Sequence, residues 1–405
     1  MSISKISFQL LLYLTMLFAI ALRCCVLTAQ ADALPVITIA ASQLNAQTVK
    51  EGSITVNDTD GAVFTSPVTV KYRGTYSASF TLKRNYTFHL KDENGNQVKR
   101  SLLGLRHDDD YALLGGYSDM SRLRILVGLD LFRDTVGPAP RGALCEVYFG
   151  PYYKGIYTLT ERPDRLSAGV SKRGALYRVL AQSVEDVNLL SSVGNIAAPQ
   201  DDTWYNIEKI YAAEHISWQP LQALADFLRT ADDEAFAREI DRYLNLTAFA
   251  DYYLFVNLTG ASDNMEKNLY LCWEDGPFSL MAWDLDAAFG RLYNAEPSDE
   301  TVLYSSPLFD RLLALPAFRA LLQSRYETLR PLFLPDIVCA RFEQYADLLE
   351  KSGAIDREME RFSTYTDFST GKPHTLDVRG EIEFIRSFLQ KRLNLLDETL
   401  HYRVQ

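Results

Sequence analysis

Two short groups of oxygen-bearing side chains stand out in the second half of the sequence. Asp263 and Asn268 are five residues apart, and Asp284 and Asp286 flank a single Leu. Carboxylate and amide oxygens are the ligands that Mg²⁺ prefers in proteins, and a further carboxylate can accept a proton from an attacking hydroxyl group. The residue types therefore predict a divalent metal beside a general base.

The spacing of the first group matches the Asp-x-x-x-x-Asn of the protein kinase catalytic loop, where the Asp accepts the substrate proton and the Asn binds Mg²⁺. The second group follows a predicted short hairpin and precedes a Phe-Gly pair at 289–290, as the metal-binding Asp of kinases does. We therefore interpret Asp263 as the catalytic base and Asn268 and Asp286 as metal ligands. At strand spacing Asp284 shares a face with Asp286, and two like charges on one face favour a bound cation.

The same residues are also compatible with purely structural roles. Gly260 and the following Asp-Asn pair are common in turns, and Asp286 is also suited to cap a helix or bind calcium. A Ser-His-Asp hydrolase or a zinc enzyme is disfavoured, because the five histidines are isolated and the cysteines are scattered. We expect the three cysteines beyond residue 31 to be buried free thiols: Cys145, Cys272 and Cys339.

The elements around these groups change character along the chain. Residues 32–117 contain short β-branched and aromatic runs, residues 119–136 have one apolar helical face, and residues 144–160 indicate two more strands. Most of the remaining chain has helical periodicity, interrupted by a strand pair at 268–273 and 278–283. The predicted helical stretches are residues 204–212, 217–231, 233–243, 246–258 and 306–400. The sequence thus predicts a β-rich first half and a mostly helical second half that holds one hairpin.

The composition is that of a folded globular protein with an acidic surface. Of 405 residues, 47% are hydrophobic and 23% are charged, and the net charge is −11. Without residues 1–31, which carry Lys5 and Arg23, 39 basic residues stand against 52 acidic ones, a net charge of −13. Such a charge disfavours nucleic acid or anionic lipid as the main partner.

The first 31 residues have the pattern of a cleaved signal peptide. Lys5 precedes an apolar segment at 8–22, and residues 29–31 form an A-x-A cleavage site. We expect a mature chain that begins at Asp32. Export would place the protein in the periplasm, on the cell surface or outside the cell.

A lipid anchor on Cys24 or Cys25 is the alternative to cleavage, although Arg23 does not fit a lipoprotein signal. No later window reaches about eighteen apolar residues, the length that a membrane span needs. We therefore predict no transmembrane segment in the mature chain.

Several segments, in the same order along the chain, resemble the CotH-type (spore coat protein H) kinase family, a group of atypical protein-kinase-like proteins. Residues 70–77 resemble its Arg-Gly-x-x-Ser segment, and residues 83–86 resemble its Lys-Lys-x-Tyr strand. Residues 146–161 resemble its Tyr- and Gly-rich hairpin, and the two groups described above resemble its signature clusters. The likeness runs from residue 68 to residue 400.

The resemblance implies an α+β, bilobal protein-kinase-like fold, with a β-rich N-lobe at 32–161 and a mostly helical C-lobe at 162–405. It implies transfer of the ATP γ-phosphate to Ser or Thr of a protein substrate, with Mg²⁺ or Mn²⁺ as the metal. Two alternatives stay open: a surface binding or adhesion protein on a kinase-like scaffold, and another ATP-dependent transfer such as AMPylation or glutamylation.

The resemblance also implies roles for residues outside the two clusters. Lys83 takes the place of the phosphate-contacting lysine, and Arg73 and Ser77 lie near the phosphates. Residues 158–161 would connect the two lobes, where backbone groups meet adenine, which makes Glu161 a candidate nucleotide contact.

The acid that pairs with the lysine is not evident from the sequence. The predicted helix at 119–136 contains aspartates but no glutamate. Glu146, Glu161 and Asp119 are the candidates.

Overall fold

The computed structural model describes residues 33–42, 44, 48–74, 83–180, 188–190, 197–199, 201–365 and 375–402. The predicted signal peptide, with Cys24 and Cys25, and the candidate Ser77 lie outside these residues. In the part of the chain that is described, no helix has both the length and the apolar composition that crossing a bilayer requires. The three later cysteines are buried free thiols, as the sequence predicts.

Seven strands of the first half close into a barrel. The strands are β1 (Val36–Ala41), β2 (Lys50–Asn57), β3 (Val63–Arg73), β4 (Asn85–Leu90), β5 (Asp110–Leu114), β6 (Gly142–Phe149) and β7 (Tyr152–Glu161). They follow the order β1-β2-β3-β4-β5-β7-β6, and a parallel pairing of β1 with β6 joins the two ends of the sheet. Along β3, buried residues alternate with more exposed ones, and Val68 and Val70 pack inside with Phe88 and Tyr111.

The predicted bilobal protein-kinase-like fold, with its β-rich N-lobe and mostly helical C-lobe, is wrong. A closed seven-stranded barrel stands in place of the open sheet of such a fold, and a second sheet occupies part of the region predicted to be helical. The molecule is a mixed α+β protein. Closure of the barrel depends on the pairing of Val36 with Glu146, and the composition of short strands does not specify pairings so distant in sequence.

The second sheet contains five antiparallel strands. They are β8 (Ala175–Val179), β9 (Thr203–Trp204), β10 (Ile207–Ala212), β11 (Leu269–Trp273) and β12 (Ser279–Ala282), in the order β12-β11-β8-β10-β9. The hairpin of β11 and β12 confirms the predicted strand pair. The predicted helix at 204–212 is wrong, because this segment pairs with β8 and buries Ile207 completely. The Trp, Tyr and Ile residues of this segment are themselves typical of strands.

The helices complete the second half of the molecule. They are α1 (Arg124–Thr135), α2 (Gln219–Thr230), α3 (Asp233–Glu239), α4 (Leu246–Thr259), α5 (Pro307–Ala314), α6 (Pro316–Leu329), α7 (Pro335–Lys351), α8 (Ala354–Phe362) and α9 (Val378–Thr399). Helix α4 is the central one, since residues 249–259 are all buried. A helix that is enclosed on every side is held rigidly by its neighbours, and α4 therefore fixes the loop that follows it, which carries Asp263.

Candidate active site

The loop that carries Asp263 is positioned by the end of α4. The helix ends at Gly260, whose φ is +68°, and a Cβ atom there would lie 2.6 Å from a phenylalanine ring on α9. Only glycine allows the chain to turn so closely against α9. A 3₁₀ turn, Ser262–Met265, then presents Asp263, and Asn268, with a φ of +55°, leads into β11.

Asn264 ties the two sequence clusters together. It is fully buried, and its side-chain NH₂ group donates to the carbonyl oxygens of Asn268, at 3.0 Å, and Trp283, at 2.7 Å. The Trp283 N–H also donates to the Asn268 carbonyl, at 2.9 Å. The amide thus holds the Asp263 loop against the loop that carries Asp286. Sequence reasoning missed this residue, because an asparagine in a turn is ordinary.

Asp284 and Asp286 lie in a turn that follows β12. The strand ends at Ala282, and Asp284 has a left-handed φ of +62°, so strand spacing does not place the two side chains. The backbone at 285–290 forms turns, which contradicts the alternative that Asp286 caps a helix. Both aspartates are half-buried.

The carboxylates at this turn act on one another electrostatically. Burial raises the pKa of Asp286 well above its usual range, and neighbouring charges, Asp284 first and Asp263 among them, raise it further. Burial also raises the pKa of Asp284, while Arg73 and Arg178 oppose that shift. Carboxylates that share so small a space favour a cation between them.

A divalent ion held by these residues would need a further ligand to complete its coordination. Within the described ranges, no three His, Cys, Asp or Glu side chains converge as a metal site on their own. Mg²⁺ is usually bound through one or two carboxylates together with substrate phosphates. Asp286, Asp284 and Asn268 offer the oxygen ligands for that arrangement.

Lys83 lies in a fully buried ion pair. Its Nζ donates to both carboxylate oxygens of Glu358, each at 2.8 Å, and to the Ile156 carbonyl. It also lies 5.0 Å from the centre of the Tyr157 ring. Three acceptors around one nitrogen require the ammonium form, which carries three N–H groups. Burial lowers the pKa of Lys83, and Glu358 opposes that shift, so the carboxylate favours the charged lysine.

Glu358 comes from α8, 275 residues beyond Lys83 in the chain. Its carboxylate also accepts from the Arg122 Nε–H, at 2.8 Å, and from the Ile156 N–H, at 2.5 Å. Gly155, with a φ of +106°, is required beside it, because a Cβ atom there would collide with the carboxylate. The acid that pairs with the lysine is therefore Glu358, and none of the three acids considered from the sequence.

One sequence signal points to Glu358. Ala354, Glu358 and Phe362 are spaced by four residues, and these three are the buried residues of α8. Residues at this spacing lie on one face of a helix. A glutamate on an otherwise apolar face indicates a buried charge that needs a partner.

The amino-acid sequence matches a known protein family. A family model described as CotH kinase protein matches residues 70–396. The chain belongs to the CotH kinase family. The match includes Lys83, Glu358 and both carboxylate clusters, and membership indicates a kinase-like enzyme. A comparison with curated proteins gives no match.

In this CotH kinase family member, α8 docks on the barrel through further charged side chains. Arg357 pairs with Glu146 of β6 at 2.7 Å, and the Tyr153 hydroxyl donates to the same carboxylate at 2.7 Å. Arg361 donates to the Tyr153 carbonyl at 3.1 Å. Glu146 is therefore part of the surface that receives α8, and its carboxylate does not pair with Lys83.

The resemblance predicts that Glu161 contacts the nucleotide. In the structure, Glu161 lies away from the Lys83–Glu358 pair. It is buried at the end of β7, five residues beyond Ile156, or about 17 Å along the strand. Its carboxylate accepts the backbone N–H groups of Arg106, at 2.9 Å, and Arg141, at 3.1 Å. The structure thus uses this carboxylate to join neighbouring segments at the end of the barrel.

Arg73, by contrast, faces the carboxylates. Arg73 is the last residue of β3, and its guanidinium lies 5.3 Å from the centre of the Trp283 ring. Trp283 is the residue before Asp284 in the chain. Burial lowers the pKa of Arg73, and Asp284 opposes that shift. The barrel therefore brings a cation to the loop that carries the predicted metal ligands.

Asp119 lies between the Lys83–Glu358 pair and the loop that carries Asp284 and Asp286. Its charge acts on both Lys83 and Asp286. Arg124, the first residue of α1, pairs with Asp119 at 2.6 Å and donates to the Ala288 carbonyl at 3.0 Å. These contacts connect α1 to the loop that carries Asp286.

Proposed function

We propose that this protein transfers the γ-phosphate of ATP to a Ser or Thr hydroxyl of a protein, with Mg²⁺ or Mn²⁺ as the metal. The observation that carries the proposal is that Asn264 joins the loop of Asp263 to the loop of Asp284 and Asp286. The charges of Asp263 and Asp284 both act on Asp286 across this junction. Family membership supports a kinase-like enzyme. The nucleotide, the metal and the protein acceptor are the finer parts that we add.

Each polar residue of the site has a separate task in this proposal. Asp286 and Asn268, supported by Asp284, would hold the divalent ion, which neutralises charge on the phosphates. Asp263 would accept the proton of the acceptor hydroxyl. Lys267 lies 2.9 Å from Asp263 and orients that carboxylate through their ion pair.

Labelled ATP distinguishes this function from its alternatives. The chain is incubated with Mg²⁺ or Mn²⁺ and with ATP labelled at the γ- or the α-phosphate. Transfer of the γ label to protein supports the proposal. Transfer of the α label would mean AMPylation. Transfer of neither would favour a binding or adhesion protein, or glutamylation, which leaves no ATP phosphate on its product.

Asp286→Asn should abolish metal-dependent nucleotide binding and also stabilise the metal-free protein. Asparagine keeps the volume but removes the charge that attracts the ion. Because burial raises the pKa of Asp286 in the folded state, a penalty on stability develops as the pH rises from the unfolded pKa to the higher folded pKa. Asparagine removes that penalty, and we expect urea unfolding at neutral pH to show a gain of about 0.5–2 kcal/mol.

The gain should disappear below a pH of about 4, where the aspartate is protonated in both states. Asp275→Asn is the control, since Asp275 lies exposed in the turn between β11 and β12 and should affect neither property. Asp284→Asn should have an intermediate effect on metal-dependent binding. Metal-dependent binding that survives in the Asp286→Asn protein would contradict the assignment.

We infer from the pattern of residues 1–31 that the protein is exported. N-terminal sequencing of the protein recovered outside the cytoplasm should find a first residue within about two positions of Asp32. An intact Met1, or a lipid on Cys24 or Cys25, would show that the inference is wrong.

A further inference from the structure

A bound phosphate chain needs cations that still have N–H groups to donate. Lys83 has none while its ion pair is closed, because the two Glu358 oxygens and the Ile156 carbonyl accept all three. The Lys83 side chain is also 0% exposed. Other cations near the loop of Asp284 and Asp286 are then the candidates for contact with phosphate.

Arg178 belongs to the second sheet, and its charge acts on Asp284. It lies on β8 directly opposite Tyr270 of β11, so the two side chains share one face of the sheet. Its guanidinium forms an ion pair with Glu208 at 3.6 Å, which is longer than a hydrogen bond. Its Nε is buried and has no hydrogen-bond partner within the described part of the chain, although the side chain as a whole is 35% exposed. Arg178 therefore has N–H groups available to a ligand.

Two further arginines act electrostatically on the same tyrosine. Arg73 at the end of β3 lies over Trp283, and Arg162 directly follows β7 and pairs with Asp110 at 2.6 Å. Burial raises the pKa of Tyr270 to about 12, and all three arginines oppose that rise. They come from the barrel, from the segment after it and from the second sheet, and the charge of each acts on the same phenol group.

We refer to Arg73, Arg162 and Arg178 as the arginine cluster. Burial lowers the pKa of Arg73, with Asp284 opposing and the other two arginines adding to the shift. Like charges held this close repel one another, and an anion between them relieves the repulsion. In a chain with a net charge of −11, such a cluster indicates an anionic ligand.

We propose that the arginine cluster is a phosphate subsite that holds the phosphate chain of the nucleotide beside Asp284. The inference rests on the nucleotide-dependent function proposed above. Arginine suits the task, because its planar guanidinium binds phosphate oxygens through two parallel hydrogen bonds. Phosphates in this subsite would lie next to the carboxylates that attract the metal, while Lys83 stabilises the barrel and α8 from inside.

The test compares nucleotides that differ in phosphate number. Calorimetry measures the binding of ATP with Mg²⁺, and of adenosine, to the wild type and to Arg178→Gln. We expect the affinity for ATP to fall about 10- to 100-fold, as for the loss of a charged contact, and the affinity for adenosine to stay the same. Arg173→Gln is the matched control, since Arg173 is exposed in the turn before β8 and should leave ATP binding unchanged.

Three results would overturn the subsite or reassign it. An equal loss of ATP and adenosine affinity would assign the cluster to the base. Unchanged ATP affinity together with a raised KM for the protein acceptor would assign it to an acidic group of the acceptor. If Arg178→Gln does not fold, Arg162→Gln gives the same comparison from a position outside the sheet that is 37% exposed, and unchanged ATP affinity there would also overturn the subsite.

Inorganic tripolyphosphate separates this inference from the proposed function. It should raise the melting temperature of the wild type and raise that of Arg178→Gln less. A wild type that binds tripolyphosphate but not ATP would end the proposed function and leave the subsite standing. If the wild type binds ATP and tripolyphosphate stabilises Arg178→Gln as much as the wild type, the subsite would be overturned and the proposed function would stand.

Discussion

We expect Asp263→Asn to lower the turnover of this CotH kinase family member by about 10²- to 10⁴-fold, the contribution of the general base that we propose Asp263 to be. Asparagine has nearly the shape of aspartate but cannot accept the hydroxyl proton. Asp263 is half-buried in the 3₁₀ turn that follows α4, and the neighbouring Asn264 amide, not the Asp263 carboxylate, joins the two loops. The loop should therefore keep its position in the variant, and the loss should appear in kcat.

The measurement sets kcat beside the affinities for metal and ATP. Both affinities should stay close to those of the wild type, in contrast to Asp286→Asn. Asp275→Asn, which removes a charge from the exposed hairpin turn, controls for the change in net charge. If Asp263→Asn abolished metal binding and Asp286→Asn left it intact, the roles of the two aspartates would be reversed.

We expect Glu358→Gln to lower the free energy of unfolding by about 3–5 kcal/mol, the effect of removing one partner from a buried ion pair. The Lys83 ammonium and the Arg122 guanidinium both direct N–H groups at this carboxylate, and the lysine and glutamate side chains are 0% exposed. Glutamine leaves both cations in an apolar interior without a compensating charge. Urea unfolding of the variant and the wild type gives the difference.

Two further variants make this result specific to the pair. Glu360→Gln is on the same helix but exposed, and it should change stability little. Lys83→Met combined with Glu358→Met removes both charges of the pair and leaves one cation, Arg122, without its carboxylate. The double variant should be more stable than Glu358→Gln, in which two buried cations lose that carboxylate. Equal stability of the Glu358→Gln and Glu360→Gln proteins would mean that the buried carboxylate contributes nothing to folding.

The parts of the site that sequence could predict are local in the chain. Asp263 and Asn268 belong to one turn, and Asp284 and Asp286 to the next, so their types and spacing already carry the chemistry. The hairpin between them was predictable for the same reason, since both of its strands and its turn lie within residues 269–282. Local patterns of this kind survive folding because neighbours in the chain stay neighbours in space.

The parts that could not be predicted depend on contacts across long distances in the chain. The parallel pairing of β1 with β6 turns an apparent open sheet into a barrel. The 204–212 segment mixes strand-favouring Trp, Tyr and Ile with helix-favouring Glu, Lys and Ala, and pairing with β8 makes residues 207–212 a strand. Glu358 lies on a helix far from every motif, and only the folded barrel shows why Lys83 needs it.

The two partners of the Lys83–Glu358 ion pair are synthesised at very different times. All seven barrel strands precede residue 162, whereas the carboxylate is 275 residues beyond the lysine. Contacts of such sequence separation form late, because a long loop must close first. A nascent chain therefore carries Lys83 and Arg122 without their carboxylate until α8 emerges. Assembly of the kinase-like centre is thus coupled to synthesis of nearly the whole polypeptide, and a partly made chain has no complete centre.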